Sequence, residues 1–277
     1  MAIAHACDRA RCGEVSIHYR RLGTPGRTPL LIVHGLSYFS YDWLPVAEAL
    51  GAQREVVAMD MRGFGDSDWS ARKDYSVPAM AQDIVCVLDH LAWPRAVLLG
   101  HSMGGRSATY AAAKHAARVE GLVLVDYSPE NAPAGSKRVT QIVANTPERF
   151  ASVDEGLAYF GQRDRERMQA YLRPDGAIKR DPYFRDQFKR LLETGERAKL
   201  GVDMWQLIGE VRSPILSMRG TRSDMFAAET AAKMRAANPR LQLVEIEAGH
   251  NIAGDNPAAF VAAVRSFLET AHADQRH

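Results

Sequence analysis

Short continuous apolar runs alternate along this chain with longer stretches whose apolar residues recur every three to four positions. The runs fall at 15–19, 30–33, 55–59, 96–99, 122–125, 215–218 and 241–246. A strand exposed on one side alternates polar and apolar residues, whereas a strand covered on both faces reads as an unbroken apolar run. The helical pattern is clearest over 76–91, 102–115, 229–237 and 257–270. The last of these begins with Pro257, at a first-turn position where the missing N–H costs nothing. Strand–helix alternation of this kind predicts a mostly parallel sheet with helices on both faces, joined by right-handed crossovers.

One segment breaks the rhythm. Residues 129–212 show little strand character, several helical patterns and a turn signal at Arg173-Pro174-Asp175-Gly176. The expected organisation is therefore a core made of residues 1–128 and 213–277 with a helical insertion, 129–212, over the sheet. Within the insertion, 15 Lys/Arg nearly balance 13 Asp/Glu, and eight aromatics are spread along it, from Phe150 to Trp205. The sign-alternating run 163–167 reads as a solvated helix face.

Length and composition narrow the class. At 277 residues, 46% hydrophobic and 25% charged, the chain has the make-up of one large globular α/β unit. A formal net charge of +2 with no basic cluster argues against a nucleic-acid binder. The longest apolar run, 258–264, is far short of the roughly 20 residues needed to cross a membrane. Asp8, Arg9 and Arg11 interrupt any signal-peptide core. Cys7, Cys12 and Cys86 are odd in number and lack C-x-x-C spacing, so they read as reduced thiols of a cytoplasmic protein.

The sharpest chemical signal is Gly100-His101-Ser102-Met103-Gly104-Gly105. It contains G-x-S-x-G, follows the run 96–99 and opens an alanine-rich helix, the strand–turn–helix context of a nucleophile elbow. The flanking glycines clear space around a strained Ser102, and the helix start supplies N–H groups and positive dipole. His34-Gly35-Leu36 ends an earlier strand, where a sharp turn aims the Leu36 N–H at the same point. With the Met103 N–H it makes a two-donor oxyanion hole. His250, in Ala248-Gly249-His250-Asn251 after the last strand, lies at the sheet edge that carries Ser102. The glycine-rich loop 60–67 lacks the Lys-Ser/Thr pair and following helix of a phosphate cradle, and reads as structural.

These motifs together resemble the α/β-hydrolase superfamily over nearly the whole chain. The resemblance implies an eight-stranded core with a helical cap between strands six and seven, where the 129–212 insertion falls. It also implies a serine hydrolase acting on a small-molecule acyl substrate, without metal or organic cofactor. The acid of the triad stays open. Relatives place it after strand seven in G-x-x-D, but this chain has Gly220-Thr221-Arg222-Ser223-Asp224, with Ser223 in the expected slot. The other family position ends strand six, here Asp126, and some esterases with that arrangement pair it with a Ser equivalent to Ser223. Asp126 is preferred over Asp224, with Ser223 as helper.

Ser102 in place of Asp argues against epoxide hydrolases and haloalkane dehalogenases. His101 and Asn251 depart from the Asn and Trp of carbon–carbon bond hydrolases, which share the template, as do cofactor-free perhydrolases and small-molecule receptors of the same fold. Ester, thioester and lactone substrates remain. His34, Tyr38, Phe39, Trp43, Trp205, Met225 and Phe226 are the expected pocket-lining side chains. Arg106, one turn into the elbow helix, either pairs with a core acid, the plainer expectation, or faces the pocket to bind a carboxylate. The near-neutral, Met-containing aromatic insertion points to an uncharged or weakly polar acyl substrate.

Overall fold

The computed structural model describes residues 3–273. Eight strands form one sheet: β1 (Ala6–Cys12), β2 (Val15–Gly23), β3 (Arg27–Val33), β4 (Arg54–Met59), β5 (Ala96–His101), β6 (Val119–Val125), β7 (Ile215–Gly220) and β8 (Leu241–Ile246). Their order is β1-β2-β4-β3-β5-β6-β7-β8, with β1 and β2 antiparallel to their neighbours and the rest parallel. All seven anticipated runs are strands. The unanticipated one, β1, carries Asp8, Arg9 and Arg11 with most side chains exposed, as suits an edge strand that must not pair further.

The continuous apolar runs divide their residues between two cores. Leu31, Val33, Leu98, Leu122 and Leu124 face one side with helices α2 (Val77–His90) and α3 (Met103–Lys114). Leu30, Ile32, Val97, Leu99, Val123 and Val125 face the other with α1 (Leu44–Leu50) and α11 (Pro257–Ala273). Burial on both faces is why these strands show no polar alternation.

Between β6 and β7 lie α4 (Pro133–Asn145), α5 (Val153–Phe160), α6 (Arg165–Tyr171), α7 (Pro182–Thr194) and α8 (Met204–Glu210). Two further helices, α9 (Ala228–Ala237) and the short α10 (Ile252–Asp255), complete the chain order. The insertion is not uniform. Phe150, Met168, Tyr171 and Ile178 form a small core with Phe39 from the sheet side. By contrast, Phe184 of α7 and Met204, Leu207 and Ile208 of α8 join the sheet core that holds α2 and α3. The run 163–167 is not wholly solvated: Arg167 turns inward, forks onto Asp42 at 2.5 and 3.1 Å and lies over Phe39 and Tyr171.

The cysteine expectation is overturned. Cys12 of β1 and Cys86 of α2 form a disulfide, leaving Cys7 as the free, exposed thiol. An odd count leaves one thiol over but does not stop the other two from meeting across 74 residues of chain. Among the described residues, no helix is long and apolar enough to cross a membrane.

Candidate active site

Every functional side chain expected from the motifs emerges at the carboxyl ends of the parallel strands, where open α/β sheets place their ligand crevices. Ser102 follows β5 with φ 49° and ψ −114°, a left-handed conformation that costs of order 1–3 kcal/mol. Its N–H donates to Val125 O at 3.1 Å, and its carbonyl accepts from Gly105 at 2.9 Å. The bend brings α3 against the end of β3. A Cβ on Gly104 would sit 2.3 Å from Val33 O and 2.4 Å from His34 O, so only glycine permits this approach. Ser102 and His250 line the same cavity, of about 610 Å³, together with Leu36 and Met103.

The peptide joining Gly35 and Leu36 has its orientation fixed by its carbonyl. Gly35 O accepts from Tyr38 N at 3.1 Å and from His34 Nδ1 at 2.7 Å. In a trans peptide the N–H points opposite to the C=O, so the Leu36 N–H is turned away from these partners. Met103 opens α3, where backbone N–H groups lack intrahelical acceptors. Both Leu36 and Met103 line the cavity that Ser102 lines.

His34 does not reach the cavity. It is fully buried, and while Nδ1 donates to Gly35 O, Nε2 accepts from Met61 N at 2.9 Å. Both bonds require the neutral ring, and burial pulls its pKa down accordingly. His34 is thus a brace between the ends of β3 and β4. Phe39 and Trp205 are also outside the cavity, the first in the small core of the insertion and the second on α8, packed against the sheet core. Trp43 and Phe226 are buried in the two main cores. Of the expected lining residues, Tyr38 and Met225 are on the cavity wall. Aromatic residues close in sequence to an oxyanion turn are as useful to packing as to a ligand, which is why sequence position misplaced them.

The acid is distinguished by its partners. Asp126 follows β6 with φ 42°, and its Oδ2 accepts from His250 Nδ1 at 2.6 Å and from Ser223 Oγ at 2.5 Å. Its Oδ1 accepts from Gly220 N at 2.9 Å. Asp224 instead receives Arg138 of α4 in a fork, Nε at 2.6 Å and Nη2 at 2.7 Å, which holds its carboxyl below the usual range. The Ser223-Asp224 loop therefore has one side chain on the acid of the histidine and the next on the inserted helices.

His101, noticed only as a departure from a family pattern, has a defined place. Its Nε2 donates to the carbonyl of His250 at 3.2 Å, and the two rings lie 4.9 Å apart. Burial, with His250 alongside, drives its pKa well below the ordinary value and keeps it neutral. A bond spanning 149 residues leaves no local signal. His101 also explains Gly35: a Cβ there would lie 2.6 Å from His101 Nδ1. Gly35→Ala is expected to displace the oxyanion turn and lower kcat by about 10²-fold; steady-state kinetics beside a melting curve checks this.

The cavity wall is not neutral. Arg106 and Ser107 of α3 contribute to it, with Lys73, Arg138, Arg197 and Lys199, against one lining carboxylate, Asp74. Near-balance over residues 129–212 averaged acids placed elsewhere with bases, Arg138, Arg197 and Lys199, gathered around the cavity. The expected core acid partner of Arg106 is absent among the described residues; burial above all, with Arg197 adding to it and Tyr127 opposing, lowers its pKa. The grouping that offers metal-ligand atoms is His18, Asp60 and Asp66. Asp60 there is engaged by His18 Nδ1 at 2.8 Å, Ser40 N at 2.6 Å and Asp66 N at 2.9 Å. Burial alone would raise this carboxyl, but His18 and Arg20 hold it well below the carboxylate range. This is how the 60–67 loop is pinned.

The alpha/beta hydrolase fold family matches residues 28–257 of the chain. A 3-hydroxybutyrate-oligomer hydrolase of Cupriavidus necator is 31% identical over 274 residues, spanning 90% of this chain and 92% of the relative. An N-formylmaleamate deformylase of Pseudomonas putida is 30% identical, spanning 91% and 92%. The solved structure of E-2-(acetamidomethylene)succinate hydrolase superposes with a TM-score of 0.84 over 96% of this chain and 100% of that one, at 25% identity. The chain belongs to the alpha/beta hydrolase fold family, and the chemistry it shares with these relatives is hydrolysis.

Proposed function

We propose that the protein is a serine hydrolase that cleaves a carboxylic ester, thioester or lactone through an acyl-enzyme on Ser102. The observation that carries this reading is the chain of contacts from Ser223 and Gly220 through Asp126 to His250, which shares a cavity with a strained Ser102. The Asp126 carboxylate keeps the proton of neutral His250 on Nδ1, so Nε2 is free to accept. Nε2 takes the Ser102 proton as the hydroxyl oxygen attacks the acyl carbon. The tetrahedral oxyanion forms under the Leu36 and Met103 amides, and His250 then gives the proton to the leaving oxygen or sulfur. Water repeats the cycle and releases the acid. The inserted helices act as a cap that limits water entry and shapes the acyl pocket.

Bond type varies among the relatives, one named for a hydroxybutyrate oligomer and another as a deformylase. An esterase of Escherichia coli is 27% identical over 87% of this chain. The test is labelling with a fluorophosphonate, alongside turnover of p-nitrophenyl esters, acyl-thioesters, lactones and an anilide. Stoichiometric label on Ser102, abolished in Ser102→Ala, with esters turned over faster than the anilide, is expected. An unlabelled Ser102 with ligand-induced thermal stabilisation and no turnover means a receptor.

A further inference from the structure

Arg106 sits one turn beyond Ser102 on α3, and a long helical side chain leans back toward the N-terminus of its helix, here toward Ser102. It lines the cavity and, among the described residues, makes no hydrogen bond or ion pair. Its neighbour Ser107 is 1% exposed, with its unpartnered Oγ closed off behind the wall. Arg106 is partly buried, and a guanidinium drawn out of water without a counter-charge is costly, so this wall favours an anion against it. The other cations of the wall differ. Lys73 is held by Asp181 at 2.7 Å and Arg138 by Asp224. Arg197, bonded to Ser136 Oγ, and Lys199 are exposed and have no carboxylate partner among the described residues. They stand where they raise the local concentration of anions at the entrance.

We infer that Arg106 forms a carboxylate subsite beside Ser102, and that the ester cleaved here carries a free carboxylate. A planar guanidinium matches a carboxylate in two parallel bonds. The rest of the group lies against Val77, Met80, Val139 and Val143, an apolar wall suited to a short carbon chain. The inference deepens the serine-hydrolase reading and rests on it for the reaction, though not for the binding.

Binding is therefore measured apart from turnover. Succinate and glutarate are titrated calorimetrically into Ser102→Ala, and into the same protein with Arg106→Gln or Arg106→Lys added. The expected results are saturable binding to Ser102→Ala, about 30-fold weaker with Arg106→Gln and intermediate with Arg106→Lys, which keeps the charge but loses the second parallel bond. In the unaltered enzyme, mono-p-nitrophenyl glutarate is expected to exceed p-nitrophenyl valerate in kcat/KM, and glutarate to compete with both. Binding unmoved by Arg106→Gln, or moved only by Arg197→Gln, overturns the subsite. So does an unaltered enzyme that glutarate does not inhibit, a result that needs no variant to fold. Failure of fluorophosphonate labelling with dicarboxylate binding intact would instead remove the reaction and leave the subsite standing.

Discussion

Asp126→Asn is expected to lower kcat by about 10⁴-fold, and Asp224→Asn to change it by less than about threefold. The difference follows from what each carboxylate touches. Asp126 accepts three donors, from His250, Ser223 and Gly220, and so stabilises both the useful tautomer of His250 and the imidazolium that forms during attack. Asparagine at 126 has one acceptor oxygen for these donors, and its amide N–H faces one of them, which turns the ring or favours the wrong tautomer. Asp224 loses an exposed fork to Arg138, a contact of the kind worth about 0–1 kcal/mol. Steady-state kinetics on both variants decides between them. A collapse with Asp224→Asn while Asp126→Asn keeps near-full turnover would show that the acid had been misassigned.

Reduction of the Cys12–Cys86 disulfide is expected to lower unfolding stability by about 4 kcal/mol, the loop-closure entropy for a cross-link over some 75 residues. For a chain of this size that corresponds to a fall of roughly 10 °C in Tm. The link joins edge strand β1 to α2 six residues beyond Met80, the last α2 residue on the cavity wall, so kcat at 25 °C is expected to hold. Melting curves with and without a phosphine reductant, repeated on Cys12→Ser, measure it. Equal melting temperatures would mean the two sulfurs contribute as packed thiols only.

What was legible in the sequence were the features with local signatures. A continuous apolar run before G-x-S-x-G announces Ser102 because the elbow needs those neighbours in the chain itself, and the same holds for Gly35-Leu36 and for His250 before the last helix. The two candidate acids were adjacent in likelihood because each follows a strand end. Their distinction lies in Arg138, 86 residues from Asp224, which no reading of spacing brings to it. Phe39, His34 and Trp205 were misplaced for a related reason: they stand next to site residues in sequence, yet their rings are spent on bracing β3 or filling cores. The disulfide joins residues separated by an entire βαβ unit, and β1 is too polar for its short alternation to be seen.

The loop after β7 has one further consequence. Ser223 steadies the carboxylate of the charge-relay chain while Asp224, bonded next to it, grips the roof of the acyl chamber, and Gly135 of that roof donates back to the Asp224 carbonyl. One loop thus serves two structures separately. Salt that loosens the exterior fork frees the inserted helices and leaves the bonds of Asp126 in place, so ionic strength is expected to tune entry rather than proton transfer.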